Sequence, residues 1–212
     1  MRTDTSVPVR LEDYRPPAFI IDTVELDIRL SPQATRVSAR LTIRRAPDAP
    51  ADAPLVLDGD ELELAGLTLD GRALAADDFS ATPQRLEIFK VPDGPFVLDI
   101  ETRLDPDANT KLMGLYRSNG TYCTQCEAEG FRRITYFQDR PDCLSVYTTR
   151  LEARASEAPV LLANGNPVAS GPVEGTDRHF AVWHDPHPKP SYLFAMVAGD
   201  LARVSDSFTT AD

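Results

Sequence analysis

The chain has 212 residues, of which 42% are hydrophobic and 26% are charged. These proportions are typical of a soluble globular protein and exclude a chain that is disordered throughout. The formal net charge of -11 argues against a nucleic-acid partner, because such partners select clustered lysine and arginine.

Targeting signals and membrane segments are not evident in the sequence. Residues 1–17 lack the apolar core of a signal peptide. The longest apolar run, residues 192–199, is far too short to span a bilayer. Cysteine occurs only three times. We therefore expect a cytoplasmic protein with free thiols and no membrane partner.

Strict alternation of apolar and polar residues appears first at residues 23–30 and again at 37–44. This pattern predicts two half-buried antiparallel strands. Residues 54–59 and 62–72 continue the pattern and end in the turn dipeptides Asp58-Gly59 and Asp70-Gly71. Residues 85–90 and 95–104 resemble a further strand pair joined across residues 91–95.

Four more candidate strands occupy the second half of the chain, at residues 143–155, 159–165, 179–185 and 191–204. No window of a dozen residues carries the apolar stripe of a helix, and the 18 prolines favour turns and strand edges. The sequence thus predicts an all-β fold, an antiparallel sandwich or open saddle-like barrel with little helix. The final residues, 202–212, resemble a strand that stops before it pairs, which suggests a piece of a longer protein.

Two of the three cysteines form the pattern Cys123-Thr-Gln-Cys126. With Cys143 they supply three ligands of a four-cysteine zinc site, but no fourth cysteine follows. The histidines that could replace it are His179, His184 and His187. A redox dithiol is equally unsupported, because no βαβ pattern surrounds the pair. We interpret Cys126 as a small buried hydrophobic residue.

Polar residues near these cysteines suggest a different chemistry. If residues 122–129 are extended, Gln125, Glu127 and Glu129 fall on one face, and Cys123 and Cys126 point to opposite faces. A carboxylate and a carboxamide could then accept hydrogen bonds from one primary ammonium group. The alternative is a solvated acidic edge paired with Arg132 and Arg133, and spacing alone favours that alternative.

Three longer segments lie around the cysteine pair: GLYRS at 114–118, CTQCEAEGFR at 123–132 and ITYFQDRPD at 134–142. Three more lie elsewhere: YRPPAF at 14–19, LANGN at 162–166 and PKPSYLFAMVAGD at 188–200. Together these segments resemble the bacterial aminopeptidase N family, whose members are zinc-dependent exopeptidases of the gluzincin type. The resemblance extends over nearly the whole chain.

The resemblance implies a domain organisation and a function. Residues 1–200 would form the N-terminal β-domain, and residues 201–212 would begin the catalytic domain. The family's G-x-M-E-N and H-E-x-x-H motifs lie downstream of the matched region, so we expect no catalytic residue and no metal ligand in this chain. Zinc would belong to the full-length enzyme, and the downstream catalytic domain would be a partner.

The same resemblance assigns Gln125 and Glu127 to the α-amino group of a peptide substrate that has a free N-terminus. It does not extend to Glu129, for which a structural role is open. The alternative is a stand-alone β-sandwich binding module without peptidase activity.

Overall fold

The computed structural model describes residues 10–209. The predicted ranges 1–200 and 201–212 each extend beyond it, since residues 1–9 and 210–212 lie outside the described residues. Between these limits the chain forms fifteen strands and three 3-10 turns, at Leu11–Asp13, Phe131–Arg133 and Ser191–Leu193. The predicted all-β sandwich with little helix is confirmed. No helix within residues 10–209 is long and apolar enough to cross a membrane.

An eight-stranded sheet forms the main layer of the fold. Its spatial order is β13 (Asn166–Pro172), β14 (Arg178–Pro190), β11 (Leu144–Arg154), β1 (Phe19–Arg29), β2 (Thr35–Arg45), β8 (Phe96–Leu104), β4 (Glu63–Leu69) and β5 (Arg72–Ala73). The predicted pairing of residues 23–30 with 37–44 is confirmed, with Leu26 opposite Ala39. One contact departs from the antiparallel expectation, because β1 and β11 run parallel. The long chain between them supplies the crossover that parallel pairing requires.

Two smaller sheets complete the structure. One has the order β12 (Val160–Ala163), β15 (Met196–Gly199), β10 (Thr121–Gln125) and β9 (Gly114–Ser118). The other has the order β3 (Leu55–Asp58), β7 (Arg85–Ile88) and β6 (Phe79–Thr82). The buried residues of all three sheets form one hydrophobic core.

Two expectations about strands are wrong. Residues 85–90 and 95–104 do not pair, since β7 joins β3 and β6 whereas β8 joins β2 and β4. Their connection contains Pro92 and Pro95, which lack the N–H group that a ladder needs, so the chain leaves one sheet before entering the next. Residues 201–209, moreover, carry no regular secondary structure, so the strand-like end forms no strand among the described residues.

An aromatic cluster connects the 3-10 turn Phe131–Arg133 to the large sheet. The Phe131 ring meets Phe137, Tyr147 and Phe194 edge to face, with centroid distances of 5.0, 5.9 and 5.2 Å. All four side chains are buried. Phe131 therefore fixes the segment that follows strand β10 against strand β11.

The chain reverses directly after β10, and residues 127–130 form a turn. Gly130 makes this reversal possible because its backbone lies against the end of β10. A methyl group on Gly130 would overlap the carbonyl oxygen of Gln125 and lie 2.9 Å from the Cα atom of Cys126. The Gly130 N–H group donates to the Cys126 carbonyl at 2.8 Å. Close backbone packing thus determines the position of the turn.

We expect Phe131→Ala to destabilise the chain by about 3–5 kcal/mol, the usual cost of removing a fully buried aromatic side chain. Urea unfolding followed by tryptophan fluorescence measures this change. Phe89→Ala is the matched control, because Phe89 is 44% exposed. Equal effects of the two substitutions would contradict the central role of Phe131.

We expect Gly130→Ala to destabilise the chain by about 1–3 kcal/mol, because the added methyl group must displace the backbone of the preceding strand. The backbone angles of Gly130, φ -91° and ψ -17°, are open to alanine, so the effect is steric. Gly94→Ala is the control, since nothing lies within 4 Å of the added methyl group there. Unchanged unfolding of Gly130→Ala would show that the turn has room to relax.

Candidate functional site

Gln125 is the last residue of strand β10 and lies opposite Gly114 of β9. Its side chain is exposed, and its amide nitrogen donates to the Glu127 carbonyl at 3.1 Å. This bond orients the amide, so that the side-chain oxygen is the atom left to accept a hydrogen bond. Gln125 thus presents an acceptor at the edge of the sheet.

Glu127 begins the turn that follows. Its side chain is exposed and forms no ion pair with any residue in the range 10–209, whereas Glu129 pairs with Arg132 at 3.4 Å. Glu127 therefore carries an exposed carboxylate two residues after Gln125 and without a cationic partner in the described structure. The predicted pairing of a solvated acidic edge with Arg132 and Arg133 holds for Glu129 alone.

The expected alternation of Gln125, Glu127 and Glu129 along one strand face is wrong. Strand β10 ends at Gln125, and the following residues form a turn in which the Glu127–Ala128 peptide bond is cis. Burial of Cys126 and the close approach of Gly130 draw the chain away from the strand direction. Gln125 and Glu127 remain linked through their hydrogen bond, while Glu129, 68% exposed, belongs to the Arg132 pair.

A buried carboxylate holds Arg132. The Asp139 side chain is 1% exposed, and its Oδ2 atom accepts from the backbone N–H and the Nε atom of Arg132, both at 3.1 Å. Its Oδ1 atom accepts from the Ser191 hydroxyl at 2.5 Å. A buried carboxylate is stable only when it is hydrogen-bonded in this way. The network attaches the start of the 3-10 turn to the segment before β15.

Arg133 faces a different set of carboxylates. Its side chain is 8% exposed, with Nη1 2.6 Å from Asp60 and Nη2 2.7 Å from Glu61. Its Nε atom donates to the Met113 carbonyl at 3.2 Å. Hydrogen bonds from Lys111 and Arg133 lower the pKa of Glu61 to about 2, so this carboxylate remains ionised well into the acid range.

The cysteines are free thiols. Burial raises the pKa of Cys126 to about 12 and that of Cys143 to about 11, which disfavours the thiolate that redox chemistry and metal binding need. The interpretation of Cys126 as a buried hydrophobic residue is confirmed. No group of three or more histidine, cysteine, aspartate or glutamate side chains within residues 10–209 could hold a metal ion.

Two of the three histidines have structural partners. The Nε2 atom of His179 lies 2.7 Å from the Ala158 carbonyl, and the Nδ1 atom of His184 lies 2.9 Å from the Thr148 hydroxyl. These contacts place the two imidazoles along strand β14.

Sequence reasoning missed Asp60, Glu61 and Asp139. A signal was available, because two adjacent arginines in a segment rich in buried aromatic residues require carboxylate partners. The acidic run Asp58-Gly-Asp-Glu61 is one source of such partners. The choice of partner depends on the packing of distant segments and is not readable from spacing.

The chain is similar to known proteins along nearly its whole length. A family model described as the peptidase M1 N-terminal domain matches residues 21–193. Aminopeptidase N of Caulobacter vibrioides is 55% identical over 210 residues, which cover 99% of this chain and 24% of that protein. Aminopeptidase N of Escherichia coli is 44% identical over 198 residues, covering 93% and 22% respectively. The chain thus spans about a quarter of the length of these curated relatives.

Solved structures agree with this match. Legionella pneumophila aminopeptidase A, crystallised in complex with aspartic acid, superposes with a TM-score of 0.85 at 35% identity, covering 92% of this chain and 23% of that chain. An M1 zinc metallopeptidase from Deinococcus radiodurans has a TM-score of 0.73 at 18% identity, with 87% and 43% covered, and shares the fold. The chain belongs to the peptidase M1 N-terminal domain family.

Proposed function

We propose that this chain is the N-terminal domain of a zinc-dependent aminopeptidase and that Gln125 and Glu127 hold the α-amino group of a peptide substrate. The observation that carries the proposal is the exposed Glu127 carboxylate, which has no cationic partner among the described residues. The backbone carbonyl of the same residue accepts a hydrogen bond from the Gln125 side-chain amide. Membership of the peptidase M1 N-terminal domain family supports the proposal, because a peptidase that acts at a free N-terminus needs residues that bind an α-amino group.

The chemistry of the pair suits a primary ammonium group. An ammonium carries three N–H donors and no acceptor. The Glu127 carboxylate would accept a charge-assisted bond, which is the stronger kind, and the Gln125 side-chain oxygen would accept a second. An internal peptide bond offers one neutral N–H group in place of the ammonium, so the pair would select a free N-terminus.

Binding of the amine also positions the rest of the substrate. Fixing the α-amino group fixes the first peptide bond relative to the reacting groups, and such placement accounts for a large part of catalysis. Zinc, held by the downstream catalytic domain, would supply an activated water and polarise the carbonyl group. The residues of this chain bind and orient the substrate, and the domain alone would be inactive. We also propose a cytoplasmic location.

The reading frame beyond residue 212 distinguishes this enzyme from a stand-alone β-sandwich binding module. We expect a G-x-M-E-N sequence followed by H-E-x-x-H, because the chain spans about a quarter of its relatives. Sequencing the gene downstream of codon 212 is the measurement. A stop codon without either motif would reject the peptidase proposal and leave the binding module.

In the longer protein, Glu127→Ala should lower kcat/KM for aminoacyl substrates at least ten-fold, equivalent to about 1.4 kcal/mol of lost transition-state stabilisation. Glu129→Ala is the matched control, since Glu129 belongs to the same turn but is paired with Arg132. Steady-state hydrolysis of an aminoacyl p-nitroanilide measures both. Similar kinetics for Glu127→Ala and the unsubstituted enzyme would rule out the amine-binding role.

A further inference from the structure

Arg133 lies directly behind the end of the strand that carries Gln125. The Cβ atom of Arg133 is 2.5 Å from where a methyl group on Gly114 would be, so the two backbones are in close contact. Gly114 is in turn the register partner of Gln125. Only one residue of strand β9 therefore separates the arginine from the proposed amine acceptor.

The same glycine contacts the turn. A methyl group on Gly130 would lie 3.1 Å from the Gly114 nitrogen, and a methyl group on Gly114 would lie 3.1 Å from the Gly130 carbonyl oxygen. The backbone of Gly130, the last residue of the turn that carries Glu127, is thus packed between Gln125, Cys126 and Gly114. Any movement of Gly114 would be transmitted to Gln125, its register partner, and to Gly130, which ends the turn that carries Glu127, because no space separates these backbones.

The guanidinium group of Arg133 attaches this arrangement to the segment between two other strands. It binds Asp60 and Glu61 in the connection between β3 and β4, and it donates to the carbonyl of Met113, the residue before Gly114. The Asp60 N–H group also donates to the Arg132 carbonyl at 3.0 Å. The β3–β4 connection therefore binds both the Arg133 side chain and the backbone of the neighbouring Arg132.

We infer that Arg133, clamped by Asp60 and Glu61, is a positioning residue for Gln125 and Glu127. The inference rests on the proposed function of that pair. Arg133 does not touch the substrate amine; it acts by fixing the backbone of Met113 and Gly114, against which the end of β10 and the turn are packed. Catalysis is sensitive to displacements of about 1 Å, so the loss of this support would weaken amine recognition first.

A lysine at this position cannot reproduce the arrangement. Its single ammonium group is a point charge, whereas the planar guanidinium reaches two carboxylates and a carbonyl at once. Arg133→Lys therefore keeps the positive charge and much of the side-chain volume, but it removes the simultaneous contacts with the two carboxylates and the carbonyl. Glu61→Gln is the second variant, because it removes one charged partner and leaves the Asp60 contact in place.

The test compares two inhibitors of the longer enzyme, an amino-acid hydroxamate and the same hydroxamate without its α-amino group. We expect Arg133→Lys and Glu61→Gln to raise the inhibition constant of the first by about five-fold or more, and that of the second by less than about two-fold. A merely structural role would raise both constants equally. Glu63→Gln is the matched control, because Glu63 is exposed and pairs loosely with Arg103 at 3.7 Å.

Glu127→Ala, measured with the same inhibitors, separates the two proposals. Suppose that Glu127→Ala weakens only the amine-bearing inhibitor, while Arg133→Lys and Glu61→Gln leave both inhibition constants unchanged or raise them equally. The positioning inference is then wrong, and the amine-binding proposal stands. If Glu127→Ala changes neither constant, the amine-binding proposal fails and the positioning inference fails with it. Should Arg133→Lys not fold, Glu61→Gln decides the question alone.

Discussion

The contact between Gly130 and the carbonyl of Gln125 determines where the acidic turn lies. Because Gly130 has no side chain, the chain can double back on the strand it has just left, which places Cys126 in the core and Glu127 at the surface. Continued extension would have sent the chain past the end of the sheet. The proposed site therefore depends on a backbone approach that only glycine permits without displacement.

Around this contact, the two arginines that follow are satisfied by separate sets of carboxylates. Arg132 is held by the buried Asp139, and Arg133 is held by Asp60 and Glu61. A largely buried guanidinium group that lacked such partners would be costly, so these pairs are needed for the fold itself. Their consequence for the site is electrostatic, because neither arginine is available to neutralise Glu127. An acidic surface position is thereby preserved beside two cations.

Local patterns in the sequence predicted local structure well. Strands β1 and β2 are half buried, so the alternation of apolar and polar residues predicted both strands and their pairing. The pairing of β7 with β8 was wrong because the sheet that a strand joins depends on distant segments, which alternation does not report. The alternation expected through Glu129 failed for a different reason, since Gly130 lets the chain turn back onto residues only four and five positions earlier, a local reversal that alternation does not report. The spacing of the acidic residues favoured a solvated edge. Only the resemblance to a known family assigned a role in amine binding to Gln125 and Glu127.

Because the Glu127 carboxylate is exposed, water weakens its attraction for a cation. Two unit charges 4 Å apart attract by only about 1 kcal/mol in water and several-fold more strongly at a protein surface of lower effective dielectric constant. An ammonium bound to this domain alone would therefore be held weakly. Covering the turn with a second domain would strengthen the same contact, because the attraction would then act through a medium of lower effective dielectric constant. On the proposed function, this chain would contribute the Glu127 carboxylate and the Gln125 carboxamide, on a turn whose backbone is fixed by the packing of Gly130.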